Sequence, residues 1–307
     1  LLILGIGIFA SSLMLGLIFL ILSRSIFENS ALKRANYRGL QVPTGAGLIF
    51  APTFLVIWIA LSILLLRPSY LAASQEHQAR LTLTHGMNMM LILVLGMCLI
   101  GFLDDVAGER RTRGFKGHFT EAFHGRFTTG FFKAVVGFIV AMAATADVSL
   151  LGFPDIQMCG EWLLNAALVA LAANLFNLFD LRPGRALKLF FPLLLLTIGL
   201  ALRFESLRYG YIAPALVVAA VAVVLFPGDL REKRMLGDAG SNVLGAVVGL
   251  GLVMGMNIWW RIGVLVFLLF LTALSEKLSF SRVIEGNKVL NWLDELGRRR
   301  RQSPEGK

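Results

Sequence analysis

Four aspartates stand where long apolar runs of this chain end or begin, among amides, glycines and basic side chains. Asp104 and Asp105 close the run from Met89 to Leu103, just ahead of Glu109-Arg110-Arg111-Thr112-Arg113. Asp180 closes another, and its spacing from Asn174 and Asn177 gathers the three polar groups near one helix face. Asp238 lies in Gly237-Asp238-Ala239-Gly240-Ser241-Asn242, at the head of a third run. Adjacent carboxylates at the edge of an apolar segment repel each other and are poorly solvated, so they persist best beside a cation. Carboxylate and amide oxygens suit a hard cation, and magnesium typically takes one or two carboxylates together with substrate phosphates. Glycines at a helix amino terminus permit close backbone approach and leave N–H groups that attract anions. Lys116, Lys133, Arg182 and Arg185 can hold phosphate oxygens. Together these residues point to a cation–diphosphate site. Each also has a plainer reading: a solvated helix end for Asp104-Asp105, interhelical hydrogen bonds for Asn174 and Asn177, and small-residue helix packing for Gly237 to Gly245.

The elements that must position these residues are set by composition. The chain has 307 residues, of which 57% are hydrophobic and only 16% charged, where a soluble domain carries about a quarter charged residues. Apolar blocks fall at 1–22, 45–66, 86–103, 131–146, 161–179, 189–202, 211–227, 241–258 and 260–274, each near the length that spans a bilayer as a helix. The expectation is an all-α polytopic membrane bundle of nine transmembrane helices over residues 1–274, with a cytoplasmic basic amphipathic tail over 275–307. Across the alternating loops, 23 lysines and arginines fall on one side and five on the other, with Lys133 at the start of a span. By the positive-inside rule the amino terminus lies outside and the carboxyl terminus in the cytoplasm. All four aspartates then lie near the inner surface.

The first block lacks a basic leader and a small-residue cleavage site, so a cleaved signal peptide is not expected. Cys98 and Cys159 show no CxxC or Cys/His spacing, which argues against a disulfide framework or a zinc site. The net charge of +10 does not imply nucleic acid: Arg298 to Arg301 follow a span, where arginines serve orientation and lipid. In the tail, Val289, Leu290, Leu293 and Leu296 recur at helical spacing beside Trp292, as in a helix lying in the cytoplasmic interface. The alternative is a tail that contacts other cytoplasmic loops. The outer loops read as a small hairpin near 150–157 and a polar loop from Arg67 to His85.

The order Pro43-Thr44-Gly45-Ala46-Gly47, Gly101-Phe102-Leu103-Asp104-Asp105, Asn174-x-x-Asn177-x-x-Asp180 and Gly237-Asp238-Ala239-Gly240-Ser241 resembles the polyprenyl-phosphate N-acetylhexosamine-1-phosphate transferase superfamily. The resemblance runs from about residue 38 to 274. It implies a magnesium-dependent enzyme of the bacterial plasma membrane whose active site faces the cytoplasm. Such an enzyme joins a sugar-1-phosphate from a UDP-N-acetylhexosamine to a polyprenyl (undecaprenyl) phosphate. UMP is released, and the product feeds cell-envelope polysaccharide or peptidoglycan synthesis. By that match Asp238, with Asp104 and Asp180, would hold Mg2+, and Asp104 and Asp105 would be essential acids near the lipid phosphate. Asn174, Asn177 and Asp180 would line the nucleotide side, with Thr44, Lys116 and Lys133 contacting substrate. Expected partners are the polyprenyl phosphate, the nucleotide sugar, membrane lipids and a second copy of the chain as a homodimer, with no nucleic acid.

The chain also departs from that pattern. The family usually continues Asp-Gly-x-Asp-Gly-Leu-Ala, where this chain reads Asp180-Leu181-Arg182-Pro183-Gly184-Arg185-Ala186. Pro183 replaces the aspartate expected to recognise the base, which leaves Arg182 and Arg185 as alternative anion contacts. The histidine-rich loop after the ninth span is replaced by Glu276-Lys277-Leu278-Ser279-Phe280-Ser281-Arg282, and the family's usual tenth span is not expected here. One rival reading is therefore an altered homologue that binds lipid phosphate or regulates envelope synthesis. Another is a transporter, which would place its ionisable groups near the membrane midplane.

Overall fold

The fold, a computed structural model, describes residues 2–65, 74–107, 129–146, 155–204 and 208–298. Lys116 and most of the expected outer hairpin near 150–157 lie outside these residues. The long helices are α1 (Leu2–Leu22), α3 (Phe50–Leu65), α4 (Ser74–Ala107), α5 (Thr129–Thr145), α6 (Ile156–Phe179), α7 (Arg185–Ala201), α8 (Ala213–Leu230), α9 (Gly237–Gly255) and α10 (Ile258–Ser275). A one-turn helix, α2 (Arg24–Phe27), follows α1, and the tail forms α11 (Phe280–Gly286) and α12 (Lys288–Glu295). Among the described residues, seven helical segments are long and apolar enough to cross a membrane. Helices α5 and α7, at 17 residues each, are the two expected spans that fall short of that length. The protein is thus a helical membrane protein.

One expectation is corrected. The polar stretch before His85 is not wholly loop, because α4 already begins at Ser74; its polar start continues the helix beyond the apolar block. Among the described residues the fold is helical, as expected, apart from one short hairpin. Strands β1 (Lys33–Ala35) and β2 (Gln41–Pro43) pair antiparallel, with Arg34 opposite Val42. The Asn36 side chain closes their turn by accepting from the Arg38 and Leu40 N–H groups, a local bond that asparagine favours.

At the centre stands α9. Fifteen of its 19 residues are buried, so it is enclosed by protein on nearly every side. It packs against α4, α6 and α7, and this close approach depends on small residues. A Cβ added at Gly47 would overlap the backbone nitrogen and Cα of Gly240, so the chain entering α3 lies directly against the first turn of α9. Backbone bonds fix that contact: Ala46 N–H donates to Met235 O (3.1 Å), Gly47 N–H to Leu236 O (2.9 Å) and Met235 N–H to Pro43 O (2.7 Å). Glycines further along α9 meet the α6 backbone near Ala172 and Val169. Small-residue packing and site building thus coexist in this one helix. By contrast, α10 buries only Leu268 and Thr272 and leans on α6.

Candidate functional site

The carboxyl ends of α4 and α6, the amino end of α9 and the start of α5 converge. Successive helix residues point about 100° apart, so the neighbours Asp104 and Asp105 serve different partners. Asp105 turns to the amino terminus of α9. Its Oδ1 accepts from the Asp238 N–H (3.0 Å), its Oδ2 from the Ala239 N–H (3.1 Å), and the Thr44 hydroxyl donates to Oδ1 (3.3 Å). The anion at this helix end is therefore a side chain of the protein itself, favoured by the helix dipole and the free N–H groups. Gly237 makes the turn into α9 with φ 73°, a conformation available to glycine at little cost.

Asp104 faces the other way, toward Lys133, whose Nζ lies 3.4 Å from its Oδ2 and also pairs with Asp238 Oδ2. The three side chains are 16% to 26% exposed, so two sheltered carboxylates share one ammonium. Asn177 completes the group. With its amide nitrogen toward Asp238 Oδ1 (2.7 Å) and its oxygen toward Lys133 Nζ (2.7 Å), it satisfies both neighbours. Asn174, one turn earlier, has a buried amide nitrogen with no acceptor among the described residues, and a buried donor of this kind is satisfied most readily by a ligand or water.

A cleft of about 380 Å³ opens beside Lys133, Asp104, Asn174 and Asn177. Beyond that polar end its walls are apolar, with Met97, Ile100, Phe138 and Leu171 among them. Across the carboxylate wall lies a smaller polar pocket of about 150 Å³, lined by Asp105, Asp180, Arg182 and Asp238 with Tyr37 and Glu232. Arg182 stacks over the Tyr37 ring, 4.5 Å from its centroid, and pairs with Glu285. Asn36 Nδ2 donates to Glu232 Oε2 (2.8 Å) and Arg38 pairs with Glu232 (3.2 Å), so the β1–β2 turn docks on the connection between α8 and α9. Asp180 is half-buried. Desolvation, then the charges of Asp229, Asp238 and Asp105, push its carboxyl well above the usual carboxylate range, against the Gly237 N–H that stabilises the anion.

The structure thus brings together Thr44, Asp104, Asp105, Lys133, Asn174, Asn177, Asp180, Arg182 and Asp238. Arg185 stands apart. Only 5% exposed, it binds Asp294 through two parallel bonds (2.8 and 2.7 Å) and donates to Ser281 Oγ (2.9 Å). Burial opposes the charge on Asp294, but the Arg185 and Arg298 guanidiniums hold its carboxyl below the usual range. With a depressed folded pKa, its stabilisation is complete at neutral pH and is lost as pH falls below the ordinary carboxylate range. Among the described residues, no three His, Cys, Asp or Glu side chains form a ready-made metal cage.

Several residues that shape the site escape a reading by sequence. Tyr37 and Glu232 lie in connections of ordinary composition. Asp229 carried one signal, the Pro227-Gly228-Asp229 sequence at the end of an apolar run. It is buried, and its carboxylate accepts from the Gly184 N–H (2.6 Å) and the Leu236 N–H (2.9 Å). One side chain therefore ties the loop after α6 to the loop before α9. Asp229→Ala leaves both N–H groups without an acceptor and is expected to cost roughly 3 kcal/mol, read as a fall in thermal midpoint in detergent. Asp229→Asn keeps one acceptor and should lose less. No protein-family model matches this chain, and no curated protein matches it.

Proposed function

We propose that this protein is a divergent member of the polyprenyl-phosphate N-acetylhexosamine-1-phosphate transferase superfamily, acting at the cytoplasmic face of a bacterial plasma membrane. The observation that carries the reading is the position of the Asp104–Lys133–Asp238 group between two cavities of opposite character. A mostly apolar cleft whose polar end holds Lys133, Asp104 and the Asn174 and Asn177 amides suits a lipid chain with a phosphate head. The polar pocket across the wall, with Arg182 stacked on Tyr37, suits the nucleotide half of a UDP-amino sugar. The bias of 23 basic residues on one side against five on the other supports nine spans with the amino terminus outside.

In this reading an oxygen of the lipid phosphate attacks the β-phosphorus of the donor. The bond to the bridging oxygen breaks and UMP leaves with that oxygen. A phosphomonoester has its second pKa at about 6, so the nucleophile is largely ionised at neutral pH and a general base adds little. Lys133 and the Asn174 amide orient the lipid phosphate, and Asp105 holds the α9 turn that presents Asp238. Asp238 and Asp104 supply hard oxygen donors, and substrate phosphates would complete the shell of a magnesium ion. When bound, that ion would neutralise charge on the diphosphate.

The test is UMP release by purified protein given magnesium, undecaprenyl phosphate and a panel of UDP-N-acetylhexosamines. Release is expected with at least one donor and should fall about 10³-fold in Asp238→Asn. A second reading, a lipid-phosphate-binding homologue without transfer, is favoured by one feature: Lys133 already closes the gap between Asp104 and Asp238. It would be supported by thermal stabilisation from lipid phosphate with no UMP from any donor.

A further inference from the structure

The segment from Phe179 to Lys188 walls the polar pocket with Asp180, Leu181, Arg182 and Pro183, and its other side is held by the carboxyl-terminal tail. Phe179 stacks on Phe280, with ring centroids 5.2 Å apart. Arg182 pairs with Glu285, and Arg185 is buried against Asp294 and Ser281. Lys188 Nζ donates to Asp294 O (2.6 Å), and Arg298 Nε donates to Pro183 O (2.9 Å). The Arg182, Arg185 and Lys188 side chains and the Pro183 carbonyl of this pocket loop thus meet α11, α12 or Arg298.

The opposite edge of α12 is apolar. Val289, Leu290, Trp292, Leu293 and Leu296 are between 43% and 66% exposed, whereas Asp294 is 7% exposed. The tail leaves α10, a membrane-length helix, at Ser275 and reaches α11 by Phe280. It is flanked by Lys288 and by Arg298 to Arg301 in the sequence. An outward apolar stripe, basic flanks and a start at the end of a span match an interfacial helix on an anionic bilayer.

We propose that α11–α12 is a membrane-surface strap. Its apolar edge lies in the interface of an anionic lipid bilayer, and its polar edge holds residues 179–188 in the arrangement that closes the polar pocket. Binding of the tail to the lipid surface and ordering of the pocket loop are then one event. Arg185 and Asp294 are positioning residues within it.

The experiment is amide hydrogen exchange on the full chain in nanodiscs of phosphatidylcholine alone or mixed with phosphatidylglycerol, with α9 as the internal control for folding. Because exchange is read without turnover, its outcome is independent of whether any UDP-sugar is used. Anionic discs should slow exchange in α12 and in 179–188 together, by about tenfold, equivalent to about 1.4 kcal/mol. The double substitution Trp292→Ser and Leu293→Ser should abolish that lipid dependence in both segments. Asp294→Asn should free 179–188 while α12 keeps its lipid protection, and α9 should stay unchanged throughout. Equal exchange of the loop in both disc types overturns the proposal. So does an Asp294→Asn protein whose loop stays as protected as the native one, or α12 protection that requires a second protein instead of lipid.

Discussion

Lys133→Met is expected to release no measurable UMP and to unfold at a clearly lower temperature than the native protein. Its ammonium is the only cation shown pairing with both Asp104 and Asp238 among the described residues. Removing one partner from a sheltered ion group leaves the other charges uncompensated, a loss on the order of 3 kcal/mol. Methionine preserves the stem volume, so the loss would report charge and hydrogen bonding with little contribution from packing. Asn177 would also lose the donor to its amide oxygen. Added magnesium should restore more thermal stability to this variant than to the native protein, because a divalent cation can occupy the place between the two carboxylates. A midpoint that does not fall, or a variant indifferent to magnesium, would show that the cluster does not depend on a cation at this point.

The second large effect is expected from Gly237→Ala. The backbone there has φ 73°, and a Cβ would lie 2.5 Å from Asp105 Oδ2 and 2.7 Å from the Gly45 nitrogen. Left-handed backbone alone costs on the order of 1 kcal/mol for alanine. The overlap with Asp105 must also push its carboxylate off the Asp238 and Ala239 N–H groups. We expect a combined loss of roughly 3 kcal/mol and, in the transferase assay, activity at background. Gly263→Ala is the contrasting control: its Cβ meets nothing within 4 Å, and the α10 helix should be unaffected or slightly stabilised. Near-native behaviour of Gly237→Ala would mean that Asp105 does not need its place at the helix end.

How far the site was legible differs from residue to residue. The aspartates at 104, 105, 180 and 238 could be singled out because a carboxylate at the margin of an apolar block is costly and therefore conspicuous. That they meet follows from topology, since helices of alternating direction bring alternate ends to one surface. Their division of labour was not legible. Nothing local tells that Asp105 caps α9 while Asp104 faces Lys133, because that depends on how α4 is rotated against α9, and the rotation is set by contacts such as Gly47 against Gly240. Arg182 and Arg185 make the same point. They read alike as anion contacts, yet one stacks on Tyr37 beside the pocket and the other is buried against Asp294 more than a hundred residues later.

What the sequence determined by itself is therefore the one-dimensional part of this protein: its apolar blocks, its tail and the acidic and amide positions at block ends. The physical basis is that bilayer thickness, charge cost and helical period are written into local composition and spacing. Tertiary structure alone decided the rest. It set which carboxylate meets which donor, raised the β1–β2 hairpin beside the polar pocket, recruited the hidden tie at Asp229 and locked the tail to the loop after α6. Those outcomes depend on where side chains distant in sequence finish relative to one another, a quantity fixed only when the helices have packed.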